Sequence, residues 1–530
     1  MDRENDPSLA CGSAALGKSP EKVPQRRPQR TAPQRNITQK GTLWLPIFFV
    51  LFSPLGLSQE LNLENLVKEH TLDNGLKLLI VERHEVPRVV CHIYYKVGSV
   101  YERPGITGIS HFHEHMMFKG TRMMGVSDFA KDDALNQRID AVMDELYQEK
   151  YRKRDGDKGK IAALEAEAER LLKEEKQYII KDDLWELYMK NGGTGLNAST
   201  GEEATGYYVT LPSNKVELQM MLESDRMLHP YFREFYSEKE VVREERRLGE
   251  NRPGYFFREQ LNASFYAASP YSWSVVGWDA DLQKVTKQDM IDYNRKYYVP
   301  NNAVAVYVGD VNPAEIIALA QRYFGRIPRA QDPEPVRTTE PKQYCEKRLY
   351  GEADTSPSVT IMYHIPAEGH PDSEVFRVIA DLMNGRTGRL YKKLVKELDI
   401  AIDAGSFGRP MAYAGQFSFN GEPKEADERT PEEVEQALYL EIERLKAEPV
   451  PDYELQKVKN QAEARFIRGL RSTMGMASRL GRAELGLGWR DIRRSLERMK
   501  KVNADDILRV ASEYFTKDNR TVGILVRKRK

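Results

Sequence analysis

The chain reads as an α+β protein made of two related halves. Three observations lead there. From Leu61 onward, short strand-like runs alternate with longer amphipathic helical runs. Val285 to Asn302 lines up with Val502 to Asn519, each an expected helix ending in an aromatic pair, then Asn, then an apolar strand. Between the two copies, residues 329–341 hold Pro, Gln and charge without periodicity and read as a linker. The first half therefore spans 60–328 and the second 342–530.

Residues 1–58 stand apart from both halves. Up to about residue 42 they are rich in Pro, Arg and Gln, with few large apolar groups. The apolar run Leu43 to Phe52 follows, then small residues at Gly56 and Ser58. A basic segment, a short apolar run and a small-residue exit describe a secretory signal, so the chain is expected to be exported, to a periplasm or beyond the cell. The alternative is an uncleaved membrane anchor through residues 43–52, a run too short to span a bilayer comfortably.

In the first half, His70 to Glu82 reads as a hairpin turning at Asn74-Gly75, and Val89 to Val97 as a further strand. Residues 128–188 then interrupt the layer. Leu135, Ile139, Val142 and Leu146 recur at helical spacing, and so do Ile161, Leu164, Ala168 and Leu171, on either side of a polar, Gly-containing turn. That pattern is an inserted helical hairpin, its apolar seams facing each other.

Chemistry concentrates at His111-Phe-His-Glu-His115. On a helix, residues four apart share a face, so His111 and His115 can grip one metal ion. Glu114 lies beside that face, close enough to take a proton from a water at the metal. The pattern H-x-x-E-H inverts the commoner H-E-x-x-H and is the inverzincin signature. Catalytic zinc keeps three protein ligands and one open position, so a third ligand is expected downstream. His113 points away from the pair and is expected to be a packed or partly exposed imidazole.

The text around the motif resembles the pitrilysin/insulinase family of zinc peptidases, which includes mitochondrial processing peptidase. The resemblance rests on Gly108 to Thr121, Leu196-Asn-Ala-Ser-Thr200 with Tyr207-Tyr208, Ser237 to Arg247, and Tyr297 to Ala303 leading to Val308-Gly-Asp310. It implies a third zinc ligand on a later helix, preceded by an acidic residue two turns earlier. Glu245 and Glu238 match those places, with Glu244 as the fallback ligand. Without the resemblance this segment reads as a solvated helix of i,i+4 charge pairs. The resemblance further implies two halves facing each other as a clamshell, the second degenerate. It implies substrate added as an extra strand along Asn197, Ala198, Ser199 and Thr200, with Arg389 over it. The Tyr that often accompanies that Arg is replaced here by Ile402; Tyr391 and Tyr413 lie nearby in sequence but outside the matching slot.

The expected activity is Zn²⁺-dependent hydrolysis of unstructured peptides or unfolded proteins. The alternative is a non-catalytic or partner-dependent subunit, and the chain is expected to form a homodimer or a heterodimer with a related peptidase-family subunit. Lys plus Arg and Asp plus Glu number 80 each, so no net field argues for nucleic acid. Cys11, Cys91 and Cys345 form neither a disulfide framework nor a cysteine-rich metal site.

Overall fold

The computed structural model describes residues 63–152 and 156–528. The expected leader, signal and anchor segments at 1–58 lie outside them. Among the described residues no helix is long and apolar enough to cross a membrane.

The first half opens with α1 (Leu63–Leu66), β1 (Val67–Thr71), β2 (Lys77–Glu82) and β3 (Arg88–Tyr95). Gly75, at φ +93°, makes the β1–β2 turn, a left-handed conformation open to glycine at no steric cost. Next come α2 (Ile109–Met116), α3 (Phe129–Lys150), α4 (Lys158–Glu175) and α5 (Asp183–Lys190), then β4 (Thr194–Thr200) and β5 (Thr205–Pro212). The half continues with α6 (Val216–Leu228), α7 (Phe235–Glu250), α8 (Tyr255–Phe265), α9 (Asp279–Lys284) and α10 (Lys287–Tyr297), and closes with β6 (Ala303–Gly309) and α11 (Pro313–Tyr323). Its sheet runs β1-β2-β6-β3-β5-β4, which leaves β4 at an edge.

The second half holds β7 (Lys347–Ala353), β8 (Ser358–Ile365), α12 (Ser373–Met383), β9 (Ala401–Pro410), β10 (Gly415–Pro423) and α13 (Pro431–Ala447). It ends with α14 (Asp452–Arg471), α15 (Thr473–Leu485), α16 (Asp491–Lys501), α17 (Ala504–Tyr514) and β11 (Arg520–Arg527). Its sheet, β7-β11-β8-β10-β9, repeats the first without a counterpart of β1.

The repeat extends to single hydrogen bonds. Thr286 and Asp289 form a capping box on α10, and Asn503 and Asp506 form one on α17. Asn302 Nδ2 donates to the carbonyls of Tyr297 and Lys96; Asn519 Nδ2 donates to those of Tyr514 and His364. Each Asn thus ties the end of its helix to the strand beside it.

The halves also exchange helices. One face of the first sheet packs on its own α2, α6, α10 and α11. The other, with Val90, Val304, Val306 and Val308, is covered by Leu470, Met476, Ala477, Leu480 and Trp489 of the second half. Gly481 lets α15 lie directly on Tyr94, because a Cβ there would stand 2.3 Å from the ring. In return Leu261 and Phe265 of α8 pack with Met362 against the second sheet. Burying a large apolar side chain contributes about 1.5–3 kcal/mol, whereas an exposed ion pair contributes about 0–1 kcal/mol. The interlock is therefore chiefly apolar.

α3 and α4 pair through Leu135, Ile139 and Leu171. They have no equivalent among the described residues of the second half, where α12 leads within a few residues into a π-helix, Tyr391–Glu397. The helix α5 begins inside the stretch 128–188 but is separate from this pair.

Candidate metal centre

α2 starts at Gly108, whose φ of +87° and near contact with the Val276 carbonyl admit no side chain. The free N–H groups of its first turn meet a buried carboxylate: Glu102 accepts from Gly108 and Ser110, each at 2.8 Å. An anion at a helix N-terminus is favourable, yet burial still pushes the Glu102 carboxyl up to about 7. Behind the helix, Tyr293 donates to Ser110 Oγ, and Asn294 Nδ2 donates to His113 Nε2 at 3.0 Å. His113 is fully buried against the Tyr298 ring, 3.9 Å away, and burial lowers its pKa to about 3. It is a neutral core imidazole on the far side of the helix from the pair.

On the near side His111 and His115 stand one turn apart, ring centroids 4.8 Å from each other. Glu245 Oε2, from α7, lies 3.7 Å from His111 Nε2 and 3.5 Å from His115 Nε2. The three donor atoms fall within 4.8 Å of one another. Ligands about 2.0–2.1 Å from one tetrahedral zinc stand a little over 3 Å apart, so this set fits a single ion after small adjustments. Two imidazoles and a carboxylate are also a known donor set for catalytic zinc. Glu244, the fallback, is exposed and pairs with Arg247 instead.

Glu238 sits two turns before Glu245 on α7. Its Oε1 is 2.9 Å from His115 Nδ1, and since a carboxylate only accepts, Nδ1 carries the proton and leaves Nε2 free for a metal. Glu238 is itself held by Lys119 at 2.6 Å. Burial works against a charged His115, but its bonds to Glu238 and Glu245 prevail and push it up to about 9. Burial, helped by the charge of His115, lowers His111 to about 4. Among the described residues His111 Nδ1 is buried without a hydrogen-bond partner, so only one of the two imidazoles is oriented from behind.

Glu114 points toward β4. Its Oε2 accepts from Thr200 Oγ1. Burial raises its pKa and the Thr200 hydroxyl opposes the rise. Thr200 ends the edge strand, where Asn197, Ala198, Ser199 and Thr200 pair with Tyr208, Tyr207, Gly206 and Thr205 of β5. Arg389 Nε donates to Glu454 Oε2 on α14 at 2.8 Å, within the second half. Ile402 is exposed on β9, and Tyr413 meets Tyr101 hydroxyl to hydroxyl at 2.9 Å.

The inserted helices brace the ligand-bearing α7. Arg233, just before it, pairs with Asp132 of α3 at 3.3 Å and donates to the carbonyls of Lys119, Thr121 and Met124, where the chain leaves α2. Glu175 of α4 accepts the N–H of Glu234 at 3.0 Å. Lys239 of α7 is buried among the rings of Tyr147, Phe235 and Tyr236. Sequence reasoning missed Glu102, Arg233 and this brace. Only the need of a helix N-terminus for an anion hinted at Glu102.

Residues 77–142 match the family model described as insulinase (peptidase family M16), and residues 284–462 match the peptidase M16 inactive domain. The first match contains His111, Glu114 and His115; the second contains none of the cluster. A zinc protease of Helicobacter pylori, PqqE, is 26% identical over 90% of this chain and 97% of its own. The crystal structure of a protease from Helicobacter pylori superposes with a TM-score of 0.70 at 22% identity, covering 87% of this chain and 99% of that one. The first half of the periplasmic protease PqqL from Escherichia coli gives 0.65 at 16%, covering 87% and 92%.

Proposed function

The chain belongs to the insulinase (M16) family of peptidases, and from that premise we propose that it is a zinc-dependent endopeptidase acting on unstructured peptides. One observation carries the reading: His111, His115 and Glu245 converge beside Glu114, and Glu114 is bonded to the last residue of an edge strand. His111 Nε2, His115 Nε2 and Glu245 would hold Zn²⁺. When bound, the ion would lower the pKa of a water toward neutrality and polarise the scissile carbonyl.

This chain's own groups do the rest. An extended peptide adds to β4 by main-chain hydrogen bonds, a mode that reads backbone more than side chain and so suits unfolded segments. Glu114 accepts the proton of the attacking water and returns it to the leaving amine. The Thr200 hydroxyl keeps Oε2 occupied and opposes the upward pull of burial on the carboxyl. Glu238 holds His115 in the tautomer that presents Nε2.

Export is part of the same proposal, on the basic leader and apolar run of residues 1–58 and on a structural neighbour described as periplasmic. A second reading, a subunit dependent on a partner of the same family as a homodimer or heterodimer, draws on Arg389 being engaged with Glu454 and on Ile402 in the Tyr slot. Turnover of a quenched unstructured peptide by wild type and Glu114→Gln, with zinc content measured in both, tests the proposal.

A further inference from the structure

The two sheets end on equivalent strands, β4 in the first half and β9 in the second. Each pairs on one side only, and such an edge offers its unpaired N–H and C=O groups to any extended chain. β9 moreover exposes Ile402 and Phe407, at 56% and 59%. A peptide between the halves thus meets two edges, of which only β4 lies beside Glu114.

β9 is nevertheless shut. Asn384, which ends α12, lies against Ser406 in the middle of the strand. Its Oδ1 accepts the Ser406 N–H at 2.7 Å, and its Nδ2 donates to the Ser406 carbonyl. The N–H and C=O of one residue in an antiparallel strand point to the same side, and β10 occupies the other side of β9. A side-chain amide holds one acceptor oxygen and a donor group. Asn384 therefore makes the two bonds that a residue of an added strand would make. The ends of β9 are guarded as well. The register with β10 shifts opposite Asp403 and Ala401, and Pro410 at the far end has no N–H to offer.

β4 has no such plug. Among the described residues no side chain from another element takes both the N–H and the C=O of one of its residues. Exposed Asn197 accepts the N–H of its neighbour Ala198 at 2.9 Å, and Glu114 faces Thr200. The shift in its register with β5 falls between Thr194 and Asn197, away from Thr200.

We propose that Asn384 closes β9 to peptide, so that an extended chain adds to β4 alone and is held beside Glu114. The proposal rests on the peptidase reading. It makes Asn384 a positioning residue, which acts by withholding the unproductive edge.

The test uses zinc-loaded Glu114→Gln as parent, so that a short unstructured peptide binds without turnover. In the parent, peptide should slow hydrogen exchange in β4 and leave residues 404–408 unchanged, and calorimetry should give a single equivalent. With Asn384→Ala added, peptide should also slow exchange at 404–408, and the stoichiometry should rise from one toward two. Asn384→Asp, which keeps an acceptor for the Ser406 N–H, should stay at one. If Asn384→Ala does not fold, Asn384→Ser, too short to span both groups, repeats the measurement. Protection of 404–408 in the parent overturns the inference, as does a folded Ala or Ser variant that still takes one equivalent with β9 unprotected. A parent that takes up no peptide at either edge overturns the peptidase reading itself, a result distinct from binding at both edges.

Discussion

Asp132→Ala isolates the brace between the inserted helices and the metal-bearing helices. Asp132 and Arg233 are both 0% exposed and pair at 3.3 Å. Removing one partner of a buried pair typically costs about 3–5 kcal/mol, because the other charge stays behind. Here Arg233 keeps three carbonyl acceptors, at 2.7, 2.8 and 2.9 Å, so the loss should lie at the lower end, about 3 kcal/mol. Arg233→Met should cost more. It strands the Asp132 charge and also leaves those three carbonyls unmet, each worth about 1–3 kcal/mol when buried without a donor. Urea unfolding of the zinc-free protein gives the stabilities, and zinc titration of the same variants shows whether the two ligand helices separate. An Asp132→Ala variant within about 0.5 kcal/mol of wild type, the scatter of ordinary surface changes, would refute the reasoning. So would a variant costlier than Arg233→Met.

Glu238→Ala removes the acceptor behind His115 and should weaken zinc binding about 10–100-fold. Competition against a chelating dye reads this directly, and unchanged affinity would deny Glu238 its orienting role. Glu102 predicts a pH dependence of stability. Its folded pKa is about 7 against 4.5 for the free group, so the native state holds the proton more tightly. Stability should therefore be greatest below pH 4.5 and decline as pH rises through 7, by up to about 3 kcal/mol. Denaturation across that range should show the decline in wild type and a flatter curve in Glu102→Gln.

Much of this is legible in the sequence. The H-x-x-E-H spacing works because a helix turn is a local property, and the repeat at 285–302 and 502–519 is visible because each copy closes its own helix with its own capping pair and Asn. What escaped the sequence was non-local. Glu244 and Glu245 are adjacent residues of the same type, and only the approach of α7 to α2 separates them. Glu102 is one acid among many until the fold brings Gly108 and Ser110 to it. The cover that α15 lays on the first sheet depends on Gly481 passing over Tyr94, residues 387 apart in the chain. Arg389 matched a position by resemblance, but its side chain engages Glu454, a partner that no local pattern announces.

The central claim is that Glu114 moves the proton at a zinc held by His111, His115 and Glu245. Its most direct test is cleavage of a quenched, unstructured peptide by the wild-type protein and by Glu114→Gln, with zinc measured in each preparation. The account predicts that both bind zinc, while the variant loses at least about 10²–10⁴-fold in turnover, the usual contribution of a positioned acid–base. Undiminished cleavage by the zinc-loaded variant would contradict it.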